Sequence, residues 1–399
     1  MAKMLAVEDY RQRARRKLPG HVYAYVDGGA ETEATVQSNR EAFRSVTLRP
    51  RGGVDPSHID LTTTVLGREL SMPIMLAPCG SARIVHPGGD VAGARAARAL
   101  STAFCLSTMS GHSIEEVVEA ANGAPVWYQV YRVGPRERVA RAIARAEKAG
   151  VQALAITFDT AVVSLRERDQ RNGGVRLLSG SKLRAAPHAL KFLGKPRWLK
   201  DFVLDGMQPK LPNVLTEDGT PMIVGRGPTV AGLGWDDLPW IREIWGGPIV
   251  IKGLLTGEDA ERAGDFGAAA IVVSNHGGRQ LDTADATLRV LPEVVAAVNG
   301  RCEVLLDGGV RSGIDVMKAV GLGAKAVLVG RPWLYGLASN GQSGIESVLR
   351  ILQEGMRRNM ALLGVSRPVE IDRSLVRAPA EWFDPSSPRG DHLTYGNTR

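Results

Sequence analysis

The feature that most limits the fold is a repeated alternation of apolar and helical segments. From residue 70 onward, short stretches rich in Val, Ile and Leu alternate with stretches of helical period, and eight of the short stretches can be counted. This order is typical of βα units around a parallel sheet. We therefore predict an α/β protein that forms a single (β/α)8 TIM barrel, rather than an open doubly wound sheet. The predicted strands are 73–77, 103–107, 126–131, 153–159, 248–252, 269–274, 303–307 and 324–330.

The first 69 residues do not fit this repeat. They begin with a helical stretch at 7–18 and continue through the turn-rich sequence Asp27-Gly28-Gly29. Glycine pairs of this kind favour turns and loops rather than regular elements. We expect residues 1–69 to form an N-terminal lid over one end of the barrel.

A long interval, residues 162–236, follows the fourth predicted strand. A connection of this length is either a functional loop or a disordered one. Within it, residues 181–204 mix Lys and Arg with Leu, Phe and Trp in an amphipathic basic pattern. This pattern predicts either a helix that packs on the barrel with a solvated basic face or a segment that docks on a membrane or partner. We expect residues 1–377 to form one domain and residues 378–399 a flexible polar tail.

The composition disfavours several classes of protein. The net charge of +8 favours anionic ligands, but basic residues are spread along the chain and aromatic residues make up only 5%, so nucleic-acid binding is not indicated. Cys79, Cys105 and Cys302 have no CxxC spacing, so neither a disulfide framework nor a metal cluster is predicted. No apolar stretch approaches the roughly 18 residues of a membrane span, and the first residues lack a signal-peptide core. We expect a cytoplasmic protein, with peripheral membrane contact through 181–204 as an alternative.

Polar residues cluster where the sixth predicted strand ends. The sequence there is Ser274-Asn275-His276-Gly277-Gly278-Arg279-Gln280-Leu281-Asp282. Barrel enzymes place reacting groups at these strand ends. A histidine can act as a base, paired glycines let a ligand approach closely, and an arginine can bind a carboxylate through two hydrogen bonds. We predict that His276 is a catalytic base, and a purely structural histidine is the alternative.

Glycine and arginine follow the last two predicted strands. The seventh strand leads into Asp307-Gly308-Gly309-Val310-Arg311, and the eighth leads into Gly330-Arg331. Glycines free backbone N–H groups to surround a phosphate, and arginines add charged hydrogen bonds. The loops after strands seven and eight form the usual phosphate site of a barrel. The two elements together predict that this protein binds a phosphate group.

The nine residues from Ser274 to Asp282 resemble the active-site signature of the FMN-dependent 2-hydroxy acid oxidases and dehydrogenases. That family includes glycolate oxidase, lactate oxidase, mandelate dehydrogenase and the flavin domain of yeast lactate dehydrogenase. The resemblance extends from about residue 10 to residue 364. It implies that the cofactor is FMN, that a small (S)-2-hydroxy acid is oxidised to the 2-oxo acid, and that the protein is a homotetramer.

The resemblance also implies which residues bind FMN. Lys252, at the end of an apolar stretch, corresponds to the lysine that faces the N1 and O2 edge of the flavin, where a cation stabilises negative charge. The remaining positions contact the isoalloxazine ring, the ribityl chain or the phosphate. The implied cofactor residues are Pro78, Cys79, Gly80, Ser107, Gln129, Thr157, Lys252, Ser274, Asp307, Gly308, Gly309, Val310, Arg311, Gly330 and Arg331.

A second set of positions corresponds to the residues that bind and oxidise the substrate. Tyr25, Arg166 and Arg279 match positions that bind the substrate carboxylate. Tyr131 matches the tyrosine that contacts the substrate hydroxyl, and Asp159 matches the acid that hydrogen-bonds the catalytic imidazole. With His276 and Lys252 they complete the implied catalytic group.

Met109 departs from the pattern of the small-acid members, which often carry a bulky aromatic residue there. Methionine is flexible and adapts to irregular shapes, so we predict a substrate larger than glycolate. Oxygen, a quinone and a redox protein remain open as electron acceptors, as does the choice between a carbanion and a hydride mechanism. The competing functions are an isomerase-type FMN barrel and a non-catalytic barrel scaffold.

Overall fold

Eight parallel strands close into a barrel in the computed structural model, which describes residues 4–53, 58–172, 194–206, 210–223 and 230–383. Each strand overlaps one of the eight predicted segments, so the predicted fold class is confirmed. Neighbours along the chain are neighbours in the barrel, and the last strand pairs with the first to close it. The strands are β1 Ile74–Leu76, β2 Phe104–Ser107, β3 Val126–Val130, β4 Ala153–Thr157, β5 Ile249–Leu254, β6 Ala270–Val273, β7 Glu303–Asp307 and β8 Ala326–Val329.

Helices surround the barrel and cover its outer face. Several begin at side chains that cap the helix N-terminus: the Thr256 hydroxyl accepts from the Asp259 amide, as the acids that follow Thr256 lead one to expect. The helices are α1 Val7–Lys17, α2 Gly20–Asp27, α3 Ala34–Ser45, α4 Ala82–Val85, α5 Gly89–Ala99, α6 Ile114–Ala121, α7 Arg136–Ala149, α8 Glu167–Arg171, α9 Pro196–Leu204, α10 Leu238–Ile244, α11 Gly257–Phe266, α12 Thr287–Val298, α13 Gly313–Gly321 and α14 Arg331–Leu363. In the described parts of the chain, none is long and apolar enough to cross a membrane.

The strands separate two apolar cores. In β2, Phe104 and Leu106 join the outer core between strands and helices, whereas Cys105 joins the core inside the barrel. This alternation follows from the period of two of a β-strand. The inner core is filled mainly by alanine, valine and leucine, with Met75 and Trp127 as its largest side chains. The barrel interior is therefore filled by side chains, and a ligand of the barrel binds at one of its ends rather than inside it.

The N-terminal segment reaches both ends of the barrel. A hairpin of strands Thr63–Val65 and Arg68–Leu70 packs Val65 and Leu70 against the inner core at the end where the strands begin. At the opposite mouth, the Ala30 amide donates to the Gly278 carbonyl, 2.8 Å away. The segment we expected to act as a lid thus contacts the loop that carries His276.

The long interval after β4 contains regular structure in its described parts. It holds α8 and α9, an antiparallel hairpin of Lys210–Leu215 with Pro221–Ile223, and the short strand Val230–Ala231. Helix α9 docks through Trp198, whose indole N–H donates to the Ile84 carbonyl at 2.8 Å. Most of the predicted basic segment, residues 181–193, lies outside the described residues. Its described end is helix α9, whose Trp198, Leu199 and Phe202 pack against the outer core, as expected of an amphipathic helix.

The beginning of the expected polar tail packs on the domain. Residues Ala380–Phe383 form a 3-10 turn, and Trp382 packs against the outer core. The Arg373 guanidinium lies 3.7 Å from the centre of the Phe383 ring. Aromatic burial and this cation–π contact explain why the chain stays on the surface beyond residue 377. Residues 384–399 of the expected tail lie outside the described residues.

Asp27, at the end of α2, joins four helices. Its carboxylate accepts two hydrogen bonds from Arg11 of α1, at 2.6 and 3.0 Å, and one from Arg168 of α8 at 2.8 Å. The Tyr335 hydroxyl of α14 donates at 2.7 Å. Burial raises the pKa of the Asp27 carboxyl, but Arg11, Tyr335 and Arg168 outweigh burial and hold the pKa well below its ordinary value. Asp27 therefore ties the N-terminal segment to the barrel as a carboxylate.

Replacing Asp27 with asparagine should remove an acid-dependent part of the stability. A lowered folded-state pKa stabilises the protein above the ordinary Asp pKa of about 4, and this stabilisation is lost as pH falls below that value. Because Arg11 and Arg168 lose their charged partner, Asp27→Asn should cost about 3 kcal/mol or more at pH 7. Urea unfolding from pH 7 to 3 should show a flatter decline for the variant. The exposed Asp265→Asn is the control, and an equal pH slope in Asp27→Asn and the unaltered protein would contradict this role.

Candidate active site

The barrel mouth is lined by polar side chains from successive strand ends. They form a hydrogen-bonded chain: the Ser107 hydroxyl lies 3.1 Å from Gln129 Oε1, and Gln129 Nε2 donates to the Thr157 hydroxyl at 3.0 Å. All are nearly inaccessible to solvent. Apolar strands thus end in buried polar groups, as expected where a barrel binds a polar ligand. The group comprises Ser107, Gln129, Thr157, Lys252, Ser274 and Asp307.

Lys252 of β5 is a buried cation at the centre of this group. Its Nζ lies 3.0 Å from Asp307 Oδ2 and donates to the Ser274 hydroxyl at 2.7 Å. Burial lowers the pKa of the ammonium, but the Asp307 and Asp159 carboxylates outweigh burial and raise the pKa above its ordinary value. Asp307 Oδ1 is buried without a hydrogen-bond partner among the described residues. Lys252 is thus charged, and Asp307 Oδ1 beside it can still accept a hydrogen bond.

His276 is held by hydrogen bonds at both ring nitrogens. Its Nδ1 lies 2.8 Å from Asp159 Oδ1, and its Nε2 lies 3.1 Å from the Tyr131 hydroxyl. Burial raises the pKa of Asp159, but His276 and Lys252 outweigh burial and lower it, so the carboxylate is ionised and the Nδ1–H of a neutral His276 donates to it. This tautomer leaves the lone pair of His276 on Nε2. The nitrogen that faces Tyr131 is therefore the one that can accept a proton.

Arg166 and Arg279 converge without a carboxylate partner in the described chain. The Arg279 guanidinium stacks over the Tyr25 ring at 5.0 Å and donates to the Tyr25 and Gly28 carbonyls. The like charge of Arg279, together with burial, lowers the pKa of Arg166 to about 10, and Arg166 Nε is buried without a hydrogen-bond partner. Two arginines this close favour an anion between or beside them. The predicted carboxylate-binding residues are thus brought together.

The loop after β1 lies next to Tyr25. The Tyr25 hydroxyl donates to the Gly80 carbonyl at 2.9 Å, and a Cβ at Gly80 would lie 3.0 Å from the Met109 Cβ. Burial raises the pKa of the Cys79 thiol to about 12, so Cys79 is a neutral wall group rather than a nucleophile. Pro78, Cys79 and Gly80 therefore shape the mouth in two ways. The Gly80 carbonyl accepts a hydrogen bond, and the small Gly80 leaves room for Met109.

The predicted phosphate loops lie side by side after β7 and β8. Gly309 has φ +86°, and a Cβ there would lie 2.3 Å from the Asn39 carbonyl, so the tight turn requires glycine. Arg331 donates to the Asp27, Gly28 and Gly277 carbonyls, and Arg311 donates to the Val310 carbonyl. Burial is the main cause that lowers the pKa of Arg331 to about 10. Burial also lowers the pKa of Arg311. Neither guanidinium group forms an ion pair with a carboxylate of the described residues, although both feel the charge of Asp27, so both can bind phosphate.

Met109 contacts an apolar wall from the long interval. Met109 and Tyr131 pack against a cluster of Val133 with Leu211 and Met222 of the hairpin. The hairpin is fixed by Asn213, which hydrogen-bonds the backbone near the start of α6. An apolar wall next to Tyr131 fits a substrate with an apolar side chain.

Two asparagines missed as site residues connect the N-terminal segment to His276. Asn39 Nδ2 donates to Asn275 Oδ1 at 2.8 Å, and Asn275 Nδ2 donates to Asn39 Oδ1 at 2.9 Å. Asn275 Oδ1 also accepts from the Gly278 amide, which fixes the loop around His276. The sequence did contain one indication of this role. Asparagine is a poor helix former, so an asparagine within a helical segment such as α3 suggests a specific hydrogen-bond partner.

The barrel mouth places a hydrogen-bonded imidazole and two arginines without ion-pair partners among the described residues next to two arginine-bearing glycine loops, an arrangement typical of a barrel enzyme with a phosphate-bearing cofactor and an anionic substrate. Comparison with known proteins identifies which one. Residues 14–378 match the family of FMN-dependent dehydrogenases, and the chain belongs to this family. It is therefore a flavoprotein of the 2-hydroxy acid oxidase and dehydrogenase type, with FMN as its cofactor. The family and cofactor predicted from the sequence are confirmed.

Similar proteins span nearly the whole chain. An L-lactate oxidase of Nostoc sp. is 42% identical over 371 residues, which cover 92% of this chain and 96% of the relative. A glycolate oxidase of Spinacia oleracea is 40% identical over 382 residues, with 96% and 97% covered. Among solved structures, the monotopic membrane protein (S)-mandelate dehydrogenase is 36% identical, with a TM-score of 0.88 and 95% and 100% covered. These relatives act on different acids, so similarity leaves the substrate of this chain open.

The residues at the mouth fit FMN. The buried polar chain and the unpartnered Asp307 oxygen offer hydrogen bonds to the heteroatoms of a flavin ring. Arg311 and Arg331, without carboxylates in the described chain, suit its phosphate. Within the described ranges, no group of three or more His, Cys, Asp or Glu side chains is arranged to hold a metal ion.

Proposed function

We propose that this protein oxidises an (S)-2-hydroxy acid to the 2-oxo acid with His276 as the base. The observation that carries the proposal is the His276–Asp159 pair, which leaves the Nε2 lone pair beside the Tyr131 hydroxyl, together with two arginines that form no ion pair with a carboxylate among the described residues. An isomerase-type FMN barrel or a non-catalytic scaffold has no need for this combination.

Oxidation of a 2-hydroxy acid removes two electrons and two protons. The chain supplies a carboxylate site and a base for one proton, and the second proton leaves with the electrons as hydride or passes to solvent. FMN, when bound, accepts the two electrons. Arg166 and Arg279 bind the carboxylate and fix the orientation of the reacting carbon. Nε2 of His276 receives a proton, and Asp159 stabilises the imidazolium that results. In a carbanion mechanism this nitrogen takes the Cα proton, and in a hydride mechanism it takes the hydroxyl proton instead; His276 is the base in either alternative.

Tyr131 and Lys252 support the same reaction. Burial raises the pKa of Tyr131, so its hydroxyl stays protonated and can donate to the substrate hydroxyl oxygen. Lys252 places a fixed positive charge at the mouth, where it stabilises negative charge. Tyr25 completes the carboxylate site beneath Arg279.

The substrate we propose has a side chain larger than that of glycolate. Met109 is half-buried and continues into the apolar cluster of Leu211 and Met222. An apolar wall stabilises a hydrocarbon side chain by about 25 cal/mol for each Å² removed from water, whereas glycolate has no side chain to bury. Lactate homologues and aromatic 2-hydroxy acids fit this wall.

Anaerobic titration tests the activity and ranks the substrates. Flavin absorbance at about 450 nm should decrease on addition of L-lactate, L-mandelate or 2-hydroxyoctanoate, with at least one faster than glycolate. Met109→Trp should slow the larger acids by about ten-fold relative to glycolate, because the new ring fills the space beside the wall. Leu281→Trp, at an exposed site, is the control. No decrease with any acid would refute the activity, and fastest reduction by glycolate would refute the substrate class.

We also propose peripheral membrane contact through residues 181–204 in a cytoplasmic homotetramer. The support for membrane contact is the exposure of Val203 and Leu204 at the end of α9, together with similarity to a monotopic membrane dehydrogenase. The support for the tetramer is the family resemblance. Sedimentation with anionic lipid vesicles and equilibrium ultracentrifugation measure the two properties separately.

A further inference from the structure

A basic cavity of about 350 Å³ lies between the N-terminal helices and the phosphate loops. It is lined by side chains of α1, α3, α8 and the start of α14, and its cations outnumber its anions. The arginines that line it are Arg11, Arg40, Arg44, Arg168, Arg311 and Arg331.

The acids of this cavity are already engaged. Asp27 accepts from Arg11 and Arg168, and Glu33 also pairs with Arg168. Glu41 accepts from the Gln37 amide at 2.8 Å. The remaining arginines of the cavity, on α3 and on the two phosphate loops, have no carboxylate partner among the described residues. The cavity therefore has unneutralised positive charge, which favours an anionic ligand.

Helix α3 lies directly on the phosphate loop after β7. The Asn39 carbonyl occupies the space where Gly309 would carry a Cβ, and the Asn39 amide nitrogen lies close to Gly308. Arg40 is the next residue of α3 and lines the cavity with Arg311 and Arg331. Burial is the main cause that lowers the pKa of Arg311, and the charge of Arg40 in the same cavity adds to it.

We propose that Arg40 is a third phosphate-binding arginine, so that the N-terminal segment holds the FMN phosphate together with the barrel loops. A phosphate monoester carries up to two negative charges, and three arginines around it provide charged hydrogen bonds on more than one side. The Asn39–Asn275 pair then fixes α3 both to the phosphate site and to the loop of His276. This inference rests on the assignment of Arg311 and Arg331 to the phosphate and is independent of the substrate.

Comparison of FMN with riboflavin tests the proposal, because riboflavin lacks only the phosphate. Apoprotein is titrated with each flavin, and the dissociation constant is read from flavin fluorescence. Arg40→Gln should raise the dissociation constant of FMN by about ten-fold or more, since one charged hydrogen bond is lost. The dissociation constant of riboflavin should stay within about two-fold, since the ring contacts are unchanged. Arg40→Lys keeps the charge and should bind FMN more tightly than Arg40→Gln.

Two further variants make each outcome decisive. Arg15→Gln removes an equal charge from the exposed face of α1, outside the cavity, and should leave both constants unchanged. Arg331→Lys, at the phosphate loop itself, should weaken FMN selectively. If Arg331→Lys weakens FMN and Arg40→Gln does not, or if Arg40→Gln weakens both flavins equally, the role of Arg40 is overturned. If neither variant weakens FMN selectively, the phosphate site itself has been wrongly assigned.

Discussion

His276→Asn should slow flavin reduction by the preferred 2-hydroxy acid by about 10²–10⁴-fold, the range expected on loss of a general base. Asparagine suits this position because His276 has φ +58°, a left-handed conformation that asparagine tolerates better than most residues. The backbone of the loop should therefore persist in the variant. Stopped-flow absorbance under anaerobic conditions measures the rate, and flavin fluorescence shows that FMN still binds.

Asp159→Asn separates the base from its partner. The variant keeps the His276 ring but removes the carboxylate that accepts from Nδ1–H and stabilises the imidazolium. We expect a reduction rate between those of the unaltered protein and His276→Asn at pH 7. A rate for His276→Asn equal to that of the unaltered protein, with FMN bound, would show that another group removes the proton.

The sequence predicts the barrel well because the relevant signals are local. Each strand is a short apolar stretch, and a helix cap such as Thr256 needs only residues three positions away. The motif after β6 places His276 and Arg279 on one loop, so their proximity follows from the chain itself. These features could be predicted without knowing which distant segments meet.

Contacts between distant segments could not be predicted in this way. Asn39 and Asn275 are 236 positions apart, and their pairing depends on how α3 packs on the barrel mouth. Asp27 lay within a sequence interpreted as a turn, whereas its carboxylate joins four helices. The hairpin that supports Met109 belongs to an interval without a clear periodic pattern. Each of these roles arises from tertiary packing, which local propensity does not encode.

Lys252→Met should have two separable effects, one on stability and one on the flavin. Methionine fills a similar volume but leaves Asp307 buried opposite an apolar group, which should lower the free energy of unfolding by about 3–5 kcal/mol. Loss of the cation should also lower the midpoint potential of bound FMN and slow its reduction, because a nearby positive charge favours the electron-rich form. Urea unfolding of the apoprotein and dye-equilibrated reduction of the holoprotein measure the two effects.

The double variant Lys252→Met with Asp307→Asn distinguishes a structural lysine from an electrostatic one. It removes both members of the ion pair that Nζ and Oδ2 form at 3.0 Å, so Asp307 is not left as a buried unpaired charge and most of the lost stability should return. The midpoint potential should stay low, because the cation is still absent. If the potential and the stability recover together, Lys252 acts on the flavin only by neutralising Asp307. If only the stability recovers, the positive charge itself favours electron acceptance, which is the role that the burial of Lys252 among the polar side chains of the barrel mouth supports.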